Sequence, residues 1–240
     1  MPESLKQVSV LHLPVHLCPD YLSWLRSRLE NGQTTHIVTL NSEMAMLAER
    51  TPPLTQVIKQ AELVIPDGAG VIFYLRLRRH QQQRCPGIEL AASLLEYIGH
   101  HQPNVPIVFY GGAPGVAQKA AHYWENRSPH LNITAYHGYL SPSEEEQLKE
   151  FLQTTQPRVI FVGLGVPRQE YWIAQHRHLC PQAIWIGVGG SFDIWGGVKS
   201  RAPMWLRENH LEWLYRLYQE PWRWRRMLVL PQFALRAFVK

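Results

Sequence analysis

Aspartate is scarce in this chain: three in 240 residues, at positions 20, 67 and 193. They are far apart, so there is no Asp-x-Asp pair, the usual carboxylate clamp for a metal bound to a diphosphate. Cysteine is equally sparse. Cys18, Cys85 and Cys180 are odd in number and widely spaced, which argues against a disulfide framework and for a reducing compartment. Long apolar runs are missing too: no stretch of about 18 uncharged apolar residues occurs, so no membrane span is expected. The N-terminal MPESLKQVSVLHL lacks a basic region followed by a long apolar run, so no cleaved secretion signal is expected. A Gly-x-Ser-x-Gly nucleophile turn is absent. So are internal repeats and low-complexity tracts.

What is present reads as globular: 45% apolar and 18% charged residues. The length suits one domain, or a domain with an appendage, burying about three quarters of its surface. The net charge is +5. All of it resides in the last 40 residues, where eight basic residues face three acidic ones. Residues 1–200 are balanced. Four of the nine tryptophans also lie in that tail. The chain therefore divides into a neutral body, 1–200, and a basic, aromatic segment, 201–240, with a boundary near Ser200–Pro203.

In the body, short apolar runs alternate with helix-length segments. Strands are expected at Val8–Leu13, His36–Leu40, Leu63–Ile65, Pro106–Tyr110, Asn132–Tyr136, Arg158–Gly163 and Ala183–Val188. Several are continuously apolar, as in strands covered on both faces. Helices are expected at Gly87–Gly99, at Pro114–Asn126 and after Ser141, which has a cap, a proline and early acids. This rhythm predicts an α/β fold, a mostly parallel sheet flanked by helices. In the tail, Leu206–Tyr218 and Trp222–Val239 read as helices broken by Pro221 and Pro231.

Ligands of open α/β sheets gather beyond the carboxyl ends of the strands. Asp67 ends one strand there, followed by Gly68. Thr39 and Asn41 end another and share a face. A carboxylate beside a hydroxyl and an amide suits polyol binding and proton abstraction; helix capping explains the same residues equally well. Three small-residue turns follow strands: Gly111–Gly115, the Gly163–Glu170 segment and Gly187–Ser191. Each could bring backbone N–H groups to one extended anionic ligand, or be an ordinary tight turn. Arg84 could hold a phosphate at a helix entry, or be solvated. His176, His178 and Cys180 suggest zinc only weakly, since no second ligand cluster accompanies them. The tail mixes arginine with aromatic rings, which suits an anionic membrane surface, nucleic acid or plain helix packing.

Taken in order, these motifs resemble the WecG/TagA/CpsF glycosyltransferases. The resemblance runs from about residue 36 to 230, with residues 1–35 matching loosely. It is carried by Thr39-x-Asn41, Asp67-Gly68, Arg84-x-x-Gly87 and the Gly163-x-Gly165-x-Pro167-Arg168-Gln169-Glu170 segment. Gly189-Gly190-Ser191-Phe192-Asp193, Arg201-Ala202-Pro203 and the stretch from Glu212 to Arg226 complete it. Two departures stand beside Arg84: Glu89 where aspartate is usual, and Cys85 where an aliphatic residue is usual.

The resemblance implies a Rossmann-like domain plus a C-terminal appendage. It implies inverting, metal-independent transfer of N-acetylmannosamine or a related sugar from a UDP-sugar to a lipid diphosphate-linked sugar. No cofactor and no nucleic acid enter this reading. Asp67 matches the general base, and Thr39 beside it is the second expected catalytic residue. Asn41, Gly68, Arg84, Gly111, Gly163, Gly165, Gln169, Glu170 and Gly190 are the expected substrate contacts. Arg216, Arg223 and Arg226 match the part that engages the membrane-bound acceptor. The expected location is the inner face of the cell membrane, and a homo-oligomer is left open. The competing reading is a non-catalytic nucleotide-binding module whose basic tail binds nucleic acid or a partner.

Overall fold

A computed structural model describes residues 5–209 and 211–239. A six-stranded sheet forms the centre. Its strands are β3 (Thr35–Leu40), β4 (Leu63–Pro66), β5 (Pro106–Gly111), β6 (Asn132–Tyr136), β7 (Val159–Gly163) and β8 (Ile184–Gly187). The order is β4-β3-β8-β7-β5-β6 and every neighbouring pair is parallel. Continuous apolar runs make this possible, because both faces are covered. Ile37, Ile65, Phe109, Phe161 and Ile186 point to one layer of helices. Val38, Val64, Val108, Ile160 and Trp185 point to the other. This alternation is the two-residue period of a strand.

The expected α/β architecture is thus present, with two differences at its ends. The first concerns Val8–Leu13, which is not one strand. β1 (Lys6–Val10) and β2 (Leu13–Leu17) form an antiparallel hairpin turning at Leu11 and His12. Both turn residues have positive φ, 48° and 68°. No glycine or asparagine marks the turn, and buried Leu11 offsets part of the conformational cost. The hairpin packs beside β4, whose Val64 N–H donates to His16 Nδ1 at 2.9 Å. A side chain thereby satisfies a backbone donor of the edge strand.

The second difference is in the tail. Leu206–Tyr218 is two helices, Met204–Glu208 and Glu212–Gln219. The Asn209 side-chain amide donates to the Trp205 carbonyl between them. Pro221 opens a single 3₁₀ turn, and the helices Trp224–Met227 and Val229–Val239 follow. Pro231 sits in the first turn of the last helix, where its missing N–H costs no hydrogen bond. Phe233 and Ala237 bury that helix against helices Ser42–Arg50 and Ala69–Leu77, in the same apolar cluster as Val38 and Leu40.

Other boundaries follow local chemistry. Ser141 and Glu144 form a reciprocal capping box for the helix Pro142–Thr155. The helix expected from Pro114 starts at Val116, because Gly115 has φ +84°, outside the right-handed helical region.

Candidate active site

A cavity of about 570 Å³ opens beyond the carboxyl ends of β3, β4, β7 and β8. Thr39, Asn41, Asp67, Gly165, Gln169 and Gly190 line it from the body; Glu212, Tyr215, Arg216 and Arg226 line it from the tail. A smaller cavity of about 120 Å³ adjoins Gly68, Arg84, Trp213 and Met227. Asn41, Asp67, Glu212 and Arg216 border both.

Asp67 continues the ladder of β4 by one residue, its N–H donating to the Leu40 carbonyl at 2.9 Å. It does not cap the helix that follows it, which begins after Gly68 without a side-chain cap. Instead Asp67 Oδ1 accepts from the N–H of Gly87 at 3.2 Å, at the start of helix Gly87–His101. Gly87 can come so close because it has no side chain: a Cβ there would lie 2.5 Å from Thr39 Cγ2. Burial pushes the Asp67 carboxyl up to about 6. Arg216 and Arg84 pull it down, Glu212 pushes it up, and the Gly87 N–H pulls it down. The result is a carboxylate largely ionised at neutral pH yet basic enough to accept a proton.

Thr39 and Asn41 both line the cavity but are held differently. Thr39 is buried, and its hydroxyl donates to the Gly187 carbonyl at 3.2 Å. Asn41 is a helix cap: its Oδ1 accepts from Met44 N–H at 3.0 Å.

Arg84 is not a solvated surface arginine. Its side chain is 12% exposed and donates to Glu212 Oε2 at 3.0 Å. The other Glu212 oxygen accepts from Arg216 at 2.9 Å. One tail carboxylate therefore bridges a body arginine and a tail arginine beside Asp67. Burial opposes ionisation of Glu212, but Arg216 and Arg84 outweigh it and hold the carboxyl below its usual range.

Further contacts fasten tail to body. Arg226 pairs with Glu43 at 2.7 Å. Lys199 pairs with Asp193 at 3.0 Å and Glu220 at 3.1 Å. Ser200 Oγ accepts from Gln219 at 2.6 Å and bonds the Tyr215 hydroxyl at 2.9 Å. Glu89, one of the two departures beside Arg84, pairs with Arg201 and Arg207. Arg223 has its backbone in the 3₁₀ turn, but its side chain lies outside what the structure describes.

The glycines of the three turns separate into two kinds. Gly165 (φ +74°) and the Gly189–Gly190 turn (Gly189 φ +52°) line the cavity, and a Cβ at Gly165 or Gly189 would meet open space. Gly111 and Gly163 do not reach it. They face each other across the β5–β7 ladder, where a Cβ on Gly111 would overlap the Gly163 backbone. Of the expected substrate contacts, these two permit strand packing in this structure, and Gly163 lies under Phe192.

Glu170 likewise stands apart from the cavity. It is fully buried and does not line the cavity. Its Oε2 bonds His36 Nε2 at 2.8 Å and its Oε1 accepts from Gln169 Nε2 at 2.9 Å. Gln169 Oε1 in turn accepts from Gly189 N–H at 3.0 Å. A buried chain of polar groups thus runs from β3 to the glycine turn at the cavity wall.

His36, Glu212, Lys199, Ser200 and Tyr215 escape sequence reasoning. Glu212 alone offered a signal, as one of three acids in a basic tail. His176 and Cys180 bond the carbonyls of Trp172 and Leu152 respectively. Among the described residues no group of three or more His, Cys, Asp or Glu could hold a metal. No described helix is long and apolar enough to cross a membrane.

Comparison with known proteins adds the last observations. The model of the glycosyl transferase WecG/TagA/CpsF family matches residues 8–240, so the match takes in most of the N-terminal region that resembled it only loosely. An N-acetylglucosaminyldiphosphoundecaprenol N-acetyl-beta-D-mannosaminyltransferase of Bacillus spizizenii (strain ATCC 23059 / NRRL B-14472 / W23) is 36% identical over 208 residues, 86% of this chain and 79% of that protein. The protein of that name in Bacillus subtilis (strain 168) is 35% identical over 201 residues, covering 83% and 77%. The one in Staphylococcus aureus (strain MW2) is 34% identical over 201 residues, covering 82% and 77%.

Proposed function

The chain belongs to the WecG/TagA/CpsF family of glycosyl transferases, and on that premise we propose that it transfers N-acetylmannosamine, or a closely related sugar, from a UDP-sugar to N-acetylglucosamine linked by a diphosphate to a polyprenyl lipid. The observation that carries this reading is Asp67: a carboxylate with its basicity raised to about 6, on the border between two cavities. The acceptor hydroxyl gives its proton to Asp67 as its oxygen attacks the anomeric carbon. The bond from that carbon to the UDP oxygen breaks with its electron pair leaving on UDP. One displacement inverts the centre, so an α-linked donor yields a β-linked product, the anomer in the relatives' names.

The larger cavity suits the donor, with the Gly165 and Gly190 turns and Gln169 along one wall. Thr39 orders the strand end beside Asp67. Arg84, Arg216, Arg223 and Arg226 meet diphosphate charge, with Gly68 and Asn41 shaping the border to the smaller cavity. In this reading the charge of the leaving group is met by arginines and backbone N–H groups rather than by a metal. The acid closest in effect to Asp67, Glu212, has both oxygens committed to arginines. Residues 201–240 act as the appendage that closes the site, and the enzyme works on the inner face of the membrane as a peripheral protein.

The test is UDP release from a panel of UDP-sugars, with lipid diphosphate-linked N-acetylglucosamine as acceptor and excess EDTA present. Release is expected with an N-acetylated mannose donor, dependent on acceptor and unaffected by EDTA. No release from any donor would refute the reading; release abolished by EDTA would refute its metal-free form.

A further inference from the structure

Helix Ala69–Leu77 starts two residues after Asp67 and keeps one side outside the core. Phe73 and Leu77, four positions apart and so on one face, are each 40% exposed. The last helix, Val229–Val239, lies against it, fixed by buried Phe233 and Ala237. Leu235 and Phe238 remain 66% and 67% exposed. The rings of Phe73 and Phe238 meet edge-on, 5.9 Å between centroids, joining the two stripes. Two helices some 160 residues apart in the chain thus present one continuous apolar strip.

The charge around this strip is predominantly positive. Arg76, Arg78 and Arg79 are exposed, and among the described residues none has an acidic partner. From Gly68 to Ile88 the chain carries four arginines and no acid. Arg236 adds a cation on the last helix, 4.0 Å from Glu49. Arg216 and Arg226, by contrast, turn toward the cavity, to Glu212 and Glu43.

We propose that the exposed side of helices Ala69–Leu77 and Val229–Val239 is the surface on which the body of this enzyme rests against an anionic bilayer. Apolar side chains rimmed mainly by arginine, with Glu49 the acid beside Arg236, suit the headgroup boundary of anionic lipid. The position also suits the proposed acceptor, and here the inference rests on the functional reading above. At 1.5 Å per residue, Phe73 and Leu77 lie about 6 and 12 Å along the helix from Ala69, its first residue, two positions past Asp67. A sugar held at the membrane by a diphosphate would be delivered at that depth.

The experiment measures sedimentation of the full chain with phosphatidylglycerol–phosphatidylcholine vesicles and with pure phosphatidylcholine vesicles. Phe73→Ser with Leu77→Ser removes the apolar strip, and Arg76→Gln with Arg79→Gln removes part of the rim. Each double variant is expected to bind anionic vesicles about tenfold more weakly. Turnover on a short-chain, water-soluble acceptor should stay at the wild-type rate. Wild-type vesicle affinity in both double variants would overturn the proposal, as would a wild type that binds neither vesicle. A wild-type oligomer that Phe73→Ser with Leu77→Ser dissociates, with vesicle binding intact, would make the strip a contact between copies of the chain instead. Loss of turnover by the wild type on every acceptor would strike the functional reading and leave the vesicle result standing.

Discussion

The two halves of the sheet end in the same kind of sequence and come to different uses. On one side, β3, β4 and β8 run into Asn41, Asp67 and the Gly189 turn, and a cavity opens over them. On the other, β5 runs into Gly111 and Gly112, and neither lines that cavity. Both halves have an apolar run, small residues and a helix. What separates them is what covers the strand ends. Gly111 is pressed against the Gly163 backbone, and Gly138 packs on Gly111 and Gly112. Around Asp67, the missing side chains of Gly68 and Gly87 let Asn41 and Thr39 come close, and the tail roofs the space with Glu212 and Arg216. A glycine turn is thus a site only where the fold leaves room above it.

This contrast can be broken experimentally, beginning with the largest effect. Asp67→Asn keeps an acceptor for the Gly87 N–H but loses the proposed base. Turnover is expected to fall by roughly 10²–10⁴-fold, with UDP binding by calorimetry largely intact. The same variant should be more stable than wild type at pH 7.5. The folded-state pKa of Asp67 is raised to about 6 from an ordinary 3.8, so the folded protein holds that proton more tightly than the unfolded one. The destabilisation from ionising Asp67 therefore grows between about pH 4 and 6 and is complete above 6. Melting curves of the two proteins should converge toward pH 4; a variant less stable than wild type at pH 7.5 would argue against a desolvated carboxylate.

Glu212→Gln comes next. It removes the carboxylate bridging Arg84 and Arg216, and kcat/KM is expected to drop about tenfold. Loss of a neighbouring negative charge should also move the acid limb of the rate profile to lower pH, because Glu212 helps raise Asp67. A limb that stays in place would show that Glu212 only fastens the tail. Glu170→Gln disturbs the buried link from His36 to Gly189, with an expected rise of about fivefold in KM for the donor and little change in kcat. The reverse pattern would place Glu170 in the chemical step. Last, Gly111→Ala should cost about 1–3 kcal/mol of stability by overpacking, read by chemical denaturation. Its kcat per folded molecule should match wild type. Lost activity without lost stability would return Gly111 to the site.

Much of this was legible in the residues. Apolar runs located the six parallel strands because most are buried on both faces, the edge strand β6 being only partly covered, and Ser141 with Glu144 announced its helix start in full. Asp67 was visible because one acid closes an apolar strand. The N-terminal hairpin was not, since Leu11 and His12 adopt left-handed backbone without any turn residue. Nor could sequence distinguish Gly165 from Gly111, as the difference lies in what packs above each. Glu170 read as a ligand contact because it follows Gln169 in a loop-to-helix motif; helix geometry turns it inward, to a histidine 134 positions earlier. Glu212 and Arg84 are 128 residues apart, and only the folded tail brings them together.

The central claim is that Asp67 accepts the acceptor's proton. The pH dependence of kcat/KM for the wild-type enzyme, with EDTA present and acceptor below saturation, addresses it most directly. Activity should rise through a single ionisation near pH 6 and then level off. A rate that holds its full value down to pH 4.5 would contradict the assignment.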